Sequence, residues 1–585
     1  MPRLRLALAQ TDPLVGDIPG NIEQIVAAAR TASEAGADLL AVGEMALTGY
    51  PIEDLAAQPS FLRAARDGVQ TLASRLFAEG IRDLVVIVGH PDGPFDPRVL
   101  GTSNAPTAIA QNCASVLHDG EIVARYAKHH LPNYSVFDEY RVFVPGEELL
   151  VLRISVREHP GVDVALIICE DLWREGGPVA RVLESDAGLL VVINASPFER
   201  DKDDVRLPLV RRRAVETDTI VAYVNIVGGQ DDLVFDGDSV VVDGSGEILA
   251  RAPQFREHVL IVDVDAAAAT DTPLPPNVNR VEVSRHVASP HSSTTLPPDI
   301  ATLPDDREQL WNALVLGLRD YVRKNGFRSV ILGLSGGIDS SICAALAADA
   351  IGAENVYGVS MPSRYSSDGS RTDADDLAER IGLNYSVEAI ADLVQPVEDQ
   401  LALTGTAAEN LQARIRGIIL MGKSNMDGQL VLTTGNKTEL AVGYSTIYGD
   451  SAGGFAPIKD VPKMLVWDLA RWRNAHAAER GEIEPIPANS IDKPPSAELR
   501  PDQTDQDTLP PYPLLDEILE NYVTRRLGRA DIVALGFDAE TVDFVTNLVD
   551  RAEWKRRQGA IGPKISGMAF GRDRRLPITY RRTVG

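Results

Sequence analysis

The sequence predicts two α/β units in series, separated by a proline-rich stretch, and three observations carry that prediction. Over residues 1 to about 265, short apolar runs alternate with amphipathic helical patterns. From 266 to 303, proline, serine and threonine dominate and no apolar period survives, which predicts a linker. From 304 to 585 the alternation resumes, around a strand, a glycine turn, a helix and a second strand, the order of a nucleotide-binding βαβ unit. A chain of 585 residues also exceeds what one core sustains.

In the first unit LRLALAQ (4–10), LVVIVG (84–89), VALIIC (164–169), LLVVINAS (189–196) and IVAYVN (220–225) read as strands. Their apolar runs are nearly continuous, so the sheet is expected to be largely buried. Between them lie amphipathic stretches such as NIEQIVAAARTASEAGAD, rich in alanine and closed by Gly36. The second unit opens with a helical pattern, REQLWNALVLGLRDYVRKNG, which leads into the strand SVILGLS. A glycine turn, the helix SSICAALAADAIG and the strand-like NVYGVSMP follow. A further polar, proline-rich stretch, 484–513, is long enough to serve as a lid or active-site loop.

The bulk numbers narrow the function. Fifty-seven Lys and Arg against 84 Asp and Glu leave a formal charge of −27, which repels nucleic acid as a bulk partner. Cys113, Cys169 and Cys343 are few, odd in number and far apart, which argues against a disulfide framework and fits a reducing compartment. No CxxC pair exists for a thiolate zinc site. No apolar run approaches membrane-spanning length, and Gln10-Thr11-Asp12 cuts the N-terminal apolar stretch too short for a signal peptide. The expectation is a cytoplasmic protein.

The sharpest signal is GLSGGIDSS, residues 333–341, between an apolar strand and an alanine-rich helix. Gly336 and Gly337 permit a tight turn whose backbone N–H groups face a phosphate at a helix N-terminus. Ser335, Ser340 and Ser341 add hydroxyl donors, and Asp339 stands where a carboxylate can hold Mg²⁺ against phosphates. The Walker-A lysine is missing, so this is not a γ-phosphoryl-transferring loop. SGGxDS resembles the signature of the N-type ATP pyrophosphatases, which cleave ATP between the α- and β-phosphates and adenylylate a substrate.

GNKTELAVGYSTIYGDSAGG (435–454), ENLQARIRG (409–417) and EWKRRQ (553–558) resemble the NAD synthetase branch of that family. The resemblance implies a Rossmann-like parallel-sheet domain of the adenine nucleotide alpha hydrolase kind, with ATP as cosubstrate and Mg²⁺ as metal. Carried over by position, it implies that Gly333, Leu334, Ser335, Gly336, Gly337, Ile338, Asp339, Ser340, Thr434, Lys463 and Ser496 contact ATP. It assigns Asn410, Arg414, Glu439 and Lys555 to deamido-NAD, Asp339 and Glu439 to the metal, and Arg364 to the adenine pocket.

In the first unit only Cys169 has a reactive setting, at a strand end before Glu170-Asp171. Cys113 and Cys343 read as buried apolar residues, and His129-His130 as a polar turn with no third ligand evident. Glu44, in GEMALTGYP after the strand ADLLAVGE, is a candidate base. Lys128, in RYAKHHLPNYSVFDE, can favour the thiolate and stabilise an oxyanion. These segments resemble the nitrilase (carbon–nitrogen hydrolase) superfamily over roughly residues 3–260, which implies an α-β-β-α sandwich and a Glu44–Lys128–Cys169 triad. LPNYSVFDE and NASPF resemble the glutaminase domains fused to NAD synthetases, which assigns Tyr134, Ser196 and Lys202 to glutamine. Glu139 resembles a second acidic residue found beside the nitrilase triad and implies a supporting role.

Together the resemblances imply an amidotransferase that frees ammonia from glutamine and amidates ATP-activated deamido-NAD. Ammonia protonated in neutral water cannot attack, so a sheltered path between the sites is expected. The family also implies a homo-oligomer, possibly an octamer. Two other readings stand beside this one: a different glutamine-fed pyrophosphatase, and an inactive nucleotide-binding scaffold. Residue 2 is Pro, so an asparagine-synthetase-type N-terminal cysteine is missing. The intact Cys169, Glu44, Lys128 and Asp339 argue against the scaffold.

Overall fold

The computed structural model describes residues 1–95, 108–155, 161–283, 296–501 and 503–579. The chain forms two compact units: residues 1–230 with 235–304, and residues 231–234 with 305–585.

The first unit is a four-layer sandwich. One sheet runs His258–Asp265, Arg3–Gln10, Leu39–Val42, Val85–Asp92, Gln111–His118, Glu121–Ala127. The other runs Ile248–Arg251, Val240–Val242, Ile220–Asn225, Leu189–Asn194, Val162–Ile168, Leu149–Ile154, Val278–Val283. Alternation along Arg3–Gln10 divides its side chains between two cores. Leu4, Leu6 and Leu8 join Val164, Leu166 and Ile168 of the facing sheet. Ala7 and Ala9 turn the other way, toward Ile22, Ile25 and Val26 of the helix Ile18–Glu34. Strands with buried residues on both faces need nearly continuous apolar sequence; all seven residues of Val162–Ile168 are buried, and the one charge among them, Asp163, is paired with Arg153 at 2.9 Å.

At the proline-rich segments one expectation changes and another is extended. The stretch 266–303, expected as a linker, contributes the edge strand Val278–Val283, parallel to Leu149–Ile154. Its side chains are mostly half-exposed or exposed, so no apolar period marked it; pairing with a sheet edge, the buried Val283 and the Arg280–Asp163 ion pair at 3.1 Å fix it. Beyond it, Arg251 N donates to Asp299 O at 2.8 Å and Ala301 N to Arg251 O at 2.9 Å, and the first unit runs to Pro304. Residues 284–295 lie outside the described residues. The stretch 484–513, polar and proline-rich and expected as a lid or active-site loop, also buries Ile486, Ile491 and Leu509 and carries the short helix Ala488–Asp492.

The second unit centres on a parallel sheet in the order Asn384–Val387, Val356–Ser360, Val330–Gly333, Leu430–Val431. Leu334–Gly337 turns the third of these into the helix Ile338–Ile351. Gly336 makes that turn at φ +74°, and a Cβ there would stand 2.3 Å from Ser370 O, so both conformation and space demand glycine. A separate apolar cluster joins the helices Lys437–Val442, Tyr512–Leu519 and Ala539–Arg551 through residues such as Val442, Leu515 and Val545.

Two candidate active sites

In the first unit three strand ends converge. Leu39–Val42 ends just before Gly43-Glu44, Glu121–Ala127 just before Lys128, and Val162–Ile168 just before Cys169. Cys169 sits at φ +44°, a left-handed conformation for a non-glycine residue, and caps the short helix Glu170–Trp173. Its amide donates to Ile193 O at 3.0 Å, which pins the elbow to the neighbouring strand.

Glu44, Lys128, Glu139 and Cys169 are all buried. Lys128 Nζ donates to Glu44 Oε1 at 2.7 Å and to Glu139 Oε1 at 3.0 Å. Glu44 Oε1 also accepts from Asn112 Nδ2 at 2.7 Å, and Oε2 from the Ala195 amide at 3.0 Å. Tyr50 OH donates to Glu139 Oε1 at 2.9 Å. Hydrogen bonds to charged groups contribute about 1.5–3 kcal/mol each, so this carboxylate–ammonium–carboxylate chain is a stable, preorganised unit. Burial alone would lower the Lys128 ammonium's pKa, but Glu139 and Glu44 outweigh it and hold the group well above its ordinary range. Burial pushes the Glu139 carboxyl up to about 7, with Lys128 pulling against it and Glu44 adding to it. Burial also pushes the Cys169 thiol well up, and Glu44 adds to the rise while Lys128 opposes it. This burial favours the neutral thiol, so attack by the sulfur calls for a base to take its proton.

Tyr134, Ser196 and Lys202, assigned to glutamine by resemblance, occupy three different settings. Tyr134 OH donates to Glu170 Oε2 at 2.8 Å, next to Cys169, and half of its surface is open. Ser196 is buried just past the strand Leu189–Asn194, its amide on Asn225 Oδ1 at 2.9 Å. Lys202 precedes the helix Asp203–Thr217 and is half-buried. Sequence reasoning missed Tyr50, Asn112 and the Ala195 amide. Tyr50 and Ala195 fall inside the recognised segments GEMALTGYP and NASPF, but nothing in their spacing announces a bond to a carboxylate. His129 Nδ1 meets Gly146 O at 2.8 Å and the amide of His130 donates to Asp171 at 2.7 Å, the polar turn expected of that pair. Cys113 and Cys343 are buried, their thiols pushed up by burial.

The second unit holds a cavity of about 310 Å³. Gly333, Leu334, Ser335, Gly337, Ile338, Asp339, Ser340, Thr434, Glu439, Lys463 and Ser496 line it. Gly336 lies behind the turn, its carbonyl accepting from Ser490 Oγ at 2.9 Å. Asn410, Arg414 and Lys555 do not line the cavity; they brace the segment that follows the helix Lys437–Val442. Lys555 Nζ donates to the carbonyls of Gly443 and Ser445 at 2.9 Å each. Thr446 Oγ1 donates to Asn410 Oδ1 at 2.7 Å, and Arg414 Nε to Ile447 O at 3.4 Å. The braced segment itself supplies Tyr444 and Ser445 to the wall. Arg364 is engaged elsewhere, with Gln395 at 3.0 Å and Glu398 at 3.1 Å. The cationic lining instead includes Arg371, Arg416 and Lys493, none of which the sequence singled out.

At one end of the cavity the two expected metal-binding carboxylates meet. Asp339 Oδ1 accepts from Asn436 Nδ2 at 2.9 Å, and Asn436 also caps Glu439 in a reciprocal capping box. Lys463 Nζ donates to Asp339 Oδ2 and lies 3.5 Å from Glu439 Oε1. Burial pushes the Glu439 carboxyl up to about 8, Asp339 adding to the rise and Lys463 opposing it. Two carboxylates facing a phosphate-sized turn fit Mg²⁺, which takes one or two carboxylates and completes its shell with phosphate oxygens and water. Among the described residues no group of three or more His, Cys, Asp or Glu side chains forms an all-protein metal cage. No helix of the described residues is long and apolar enough to cross a membrane.

Residues 5–273 match the carbon–nitrogen hydrolase family and residues 310–559 the NAD synthase family. Over 99% of both chains, 44% of residues are identical to a glutamine-dependent NAD(+) synthetase of Thermotoga maritima. A relative of the same description from Aquifex aeolicus is 43% identical, again over 99% of both chains. The chain belongs to the glutamine-dependent NAD(+) synthetases. Membership makes it an ATP-dependent carbon–nitrogen ligase that draws its nitrogen from glutamine. A structure of the Acinetobacter baumannii synthetase in complex with adenosine diphosphate is 37% identical, with a TM-score of 0.71 over 98% of both chains. The Cytophaga hutchinsonii synthetase shares the fold, with a TM-score of 0.77 at 22% identity.

Proposed function

We propose that this chain makes NAD by hydrolysing glutamine at Cys169 and delivering the ammonia to deamido-NAD adenylylated in the second unit's cavity. One observation carries the first step: Glu44 and Lys128 are joined at 2.7 Å in the buried cluster that holds Cys169 at its strained strand end. Cys169 attacks the side-chain amide of glutamine while Glu44 takes the thiol proton, which burial keeps on sulfur at rest. Lys128 stabilises the oxyanion, and Glu44 returns the proton to the leaving ammonia. Water then hydrolyses the thioester to glutamate.

In the cavity the turn Ser335–Asp339 presents backbone N–H groups at the start of a 14-residue helix, a site for the triphosphate. The nicotinate carboxylate of deamido-NAD attacks the α-phosphate and expels pyrophosphate; ammonia then displaces AMP. Asp339 and Glu439 would hold Mg²⁺, which supplies charge neutralisation on the phosphates. Arg371, Arg416 and Lys493 offset the chain's negative charge where anionic substrates bind. The stretch 484–513 acts as a lid: Lys493, Ser496 and Glu498 line the cavity, and Glu498 Oε1 accepts from Ser367 at 2.9 Å and Ser370 at 2.7 Å. An acyl-adenylate must be kept from water, and such a cover does that. The protein works in the cytoplasm as a homo-oligomer, with a sheltered route for ammonia.

The test is incubation with ATP, Mg²⁺, deamido-NAD and either glutamine or ammonia, following NAD and AMP. NAD and AMP formed in equal amounts with either nitrogen source support the reading. AMP without NAD points to another carboxylate substrate, and neither product overturns the enzyme reading.

A further inference from the structure

Lys463 holds a position that a nucleotide-binding lysine alone does not explain. It is the first residue of the helix Lys463–Glu479 and is 1% exposed. Its ammonium donates to Asp339 and lies 3.5 Å from Glu439 Oε1, so one protein cation joins both carboxylates of the metal pair. The ammonium also sits 5.5 Å from the centroid of the Trp467 ring and 5.4 Å from that of Tyr512. Tyr512 OH donates to Asp505 at 2.7 Å, and Asp505 adds a third carboxylate on that side. One negative charge of the pair is thus already offset, by a monovalent cation on a flexible stem, where a divalent ion would need the same oxygens. Two cations cannot share these oxygens in a buried site without strong repulsion, so the ammonium and a free metal ion compete.

We infer that Lys463 is a placeholder cation that closes the Asp339–Glu439 pair to free divalent metal and yields it only when nucleotide phosphates give the ammonium other anions. The inference rests on the reading of Asp339 and Glu439 as the metal pair. It makes metal entry depend on nucleotide: the ion arrives with ATP rather than before it. The four-carbon stem of lysine suits this task, because the charge can swing between two sets of oxygens without moving the helix.

Mn²⁺ binding to the full-length protein, read by electron paramagnetic resonance, tests it without reference to turnover. In the wild type, Mn²⁺ should bind this site about tenfold or more tightly with an α,β-methylene ATP analogue present than without it. Lys463→Met and Lys463→Gln should each bind free Mn²⁺ about tenfold more tightly than the wild type and lose the dependence on nucleotide. Lys463→Arg, which keeps the charge, should retain weak binding of the free ion. Equal affinity for free Mn²⁺ in the wild type and either neutral variant overturns the placeholder. Asp339→Asn and Glu439→Gln separate the two readings. Loss of Mn²⁺ from the analogue complex in both upholds the metal pair, whereas full retention in both overturns the metal reading itself.

Discussion

Cys169, the proposed nucleophile, is buried beside Glu44, Lys128 and Glu139 from distant parts of the chain, and substituting it separates the two chemistries. Cys169→Ala is expected to abolish glutamine-driven NAD synthesis and to leave synthesis from high external ammonia near the wild-type rate. The sulfur serves only the first site, so equal loss with both nitrogen sources would refute the division of labour. A Lys128 variant is a poorer probe, because stranding two buried carboxylates costs about 3–5 kcal/mol of stability. Tyr50 allows a finer test. Its hydroxyl donates to Glu139, stabilising the ionised carboxylate, and burial already pushes that group up to about 7. Lys128 and Glu44 face the same carboxyl from their own strand ends, and both remain in Tyr50→Phe. Losing the hydroxyl therefore moves Glu139 further up, by about half a pKa unit or more. The acid limb of the glutaminase pH profile should shift to higher pH by that amount, while the ammonia-driven profile stays in place. An unmoved acid limb would show that Glu139 does not titrate in the rate-determining step.

Among the elements, the stretch 484–513 behaves least as its composition suggests. Its prolines and polar residues predict an open segment, yet Ile486, Ile491 and Leu509 are buried and its side chains reach across the cavity. Lys493 Nζ pairs with Asp373 at 2.8 Å, Asn489 Nδ2 donates to the same carboxylate at 2.7 Å, and Ser490 Oγ bonds Gly336 O at 2.9 Å. Part-buried and buried hydrogen bonds of this kind contribute on the order of 1 kcal/mol each, so a handful of them holds the cover against the cavity. Limited proteolysis should cut this stretch readily in the free protein, and ATP with deamido-NAD should protect it. Cleavage at the same rate with and without the two substrates would leave it a passive spacer. The strand Val278–Val283 makes the complementary point: backbone pairing with Leu149–Ile154, the buried Val283 and the Arg280–Asp163 ion pair at 3.1 Å hold a segment with little apolar sequence.

At the scale of the whole molecule, a charge of −27 must be reconciled with substrates that are themselves anions. The fold does so locally, by gathering Arg371, Arg416, Lys463 and Lys493 at one cavity. The product of the first site raises a second whole-molecule demand, because ammonia becomes non-nucleophilic once protonated in bulk water. Glutamine-driven NAD synthesis is therefore expected to persist at nearly full rate beside an excess of an ammonia-consuming enzyme, whereas ammonia-driven synthesis should collapse. Equal collapse of both would mean that ammonia equilibrates with solvent between the sites.

The sequence by itself determined the two α/β units, the strand ends that carry Glu44 and Cys169, and the glycine turn at 333–341; the strand Glu121–Ala127 that carries Lys128 is largely exposed and gave no apolar run. These are local facts: a strand buried on both faces is nearly all apolar, and a turn at φ +74° with no room for a Cβ must be glycine. Tertiary structure decided which side chains meet. Nothing local in Tyr50, Asn112 or Asn436 announces its bond to Glu139, Glu44 or Asp339, because each of these partners lies tens of residues away in sequence. The same holds for Arg416, which lines the cavity while Arg414, two residues earlier on the same helix, braces the wall behind it. Residues two apart on a helix face different directions, and only the packing of that helix against its neighbours selects which one meets the substrate.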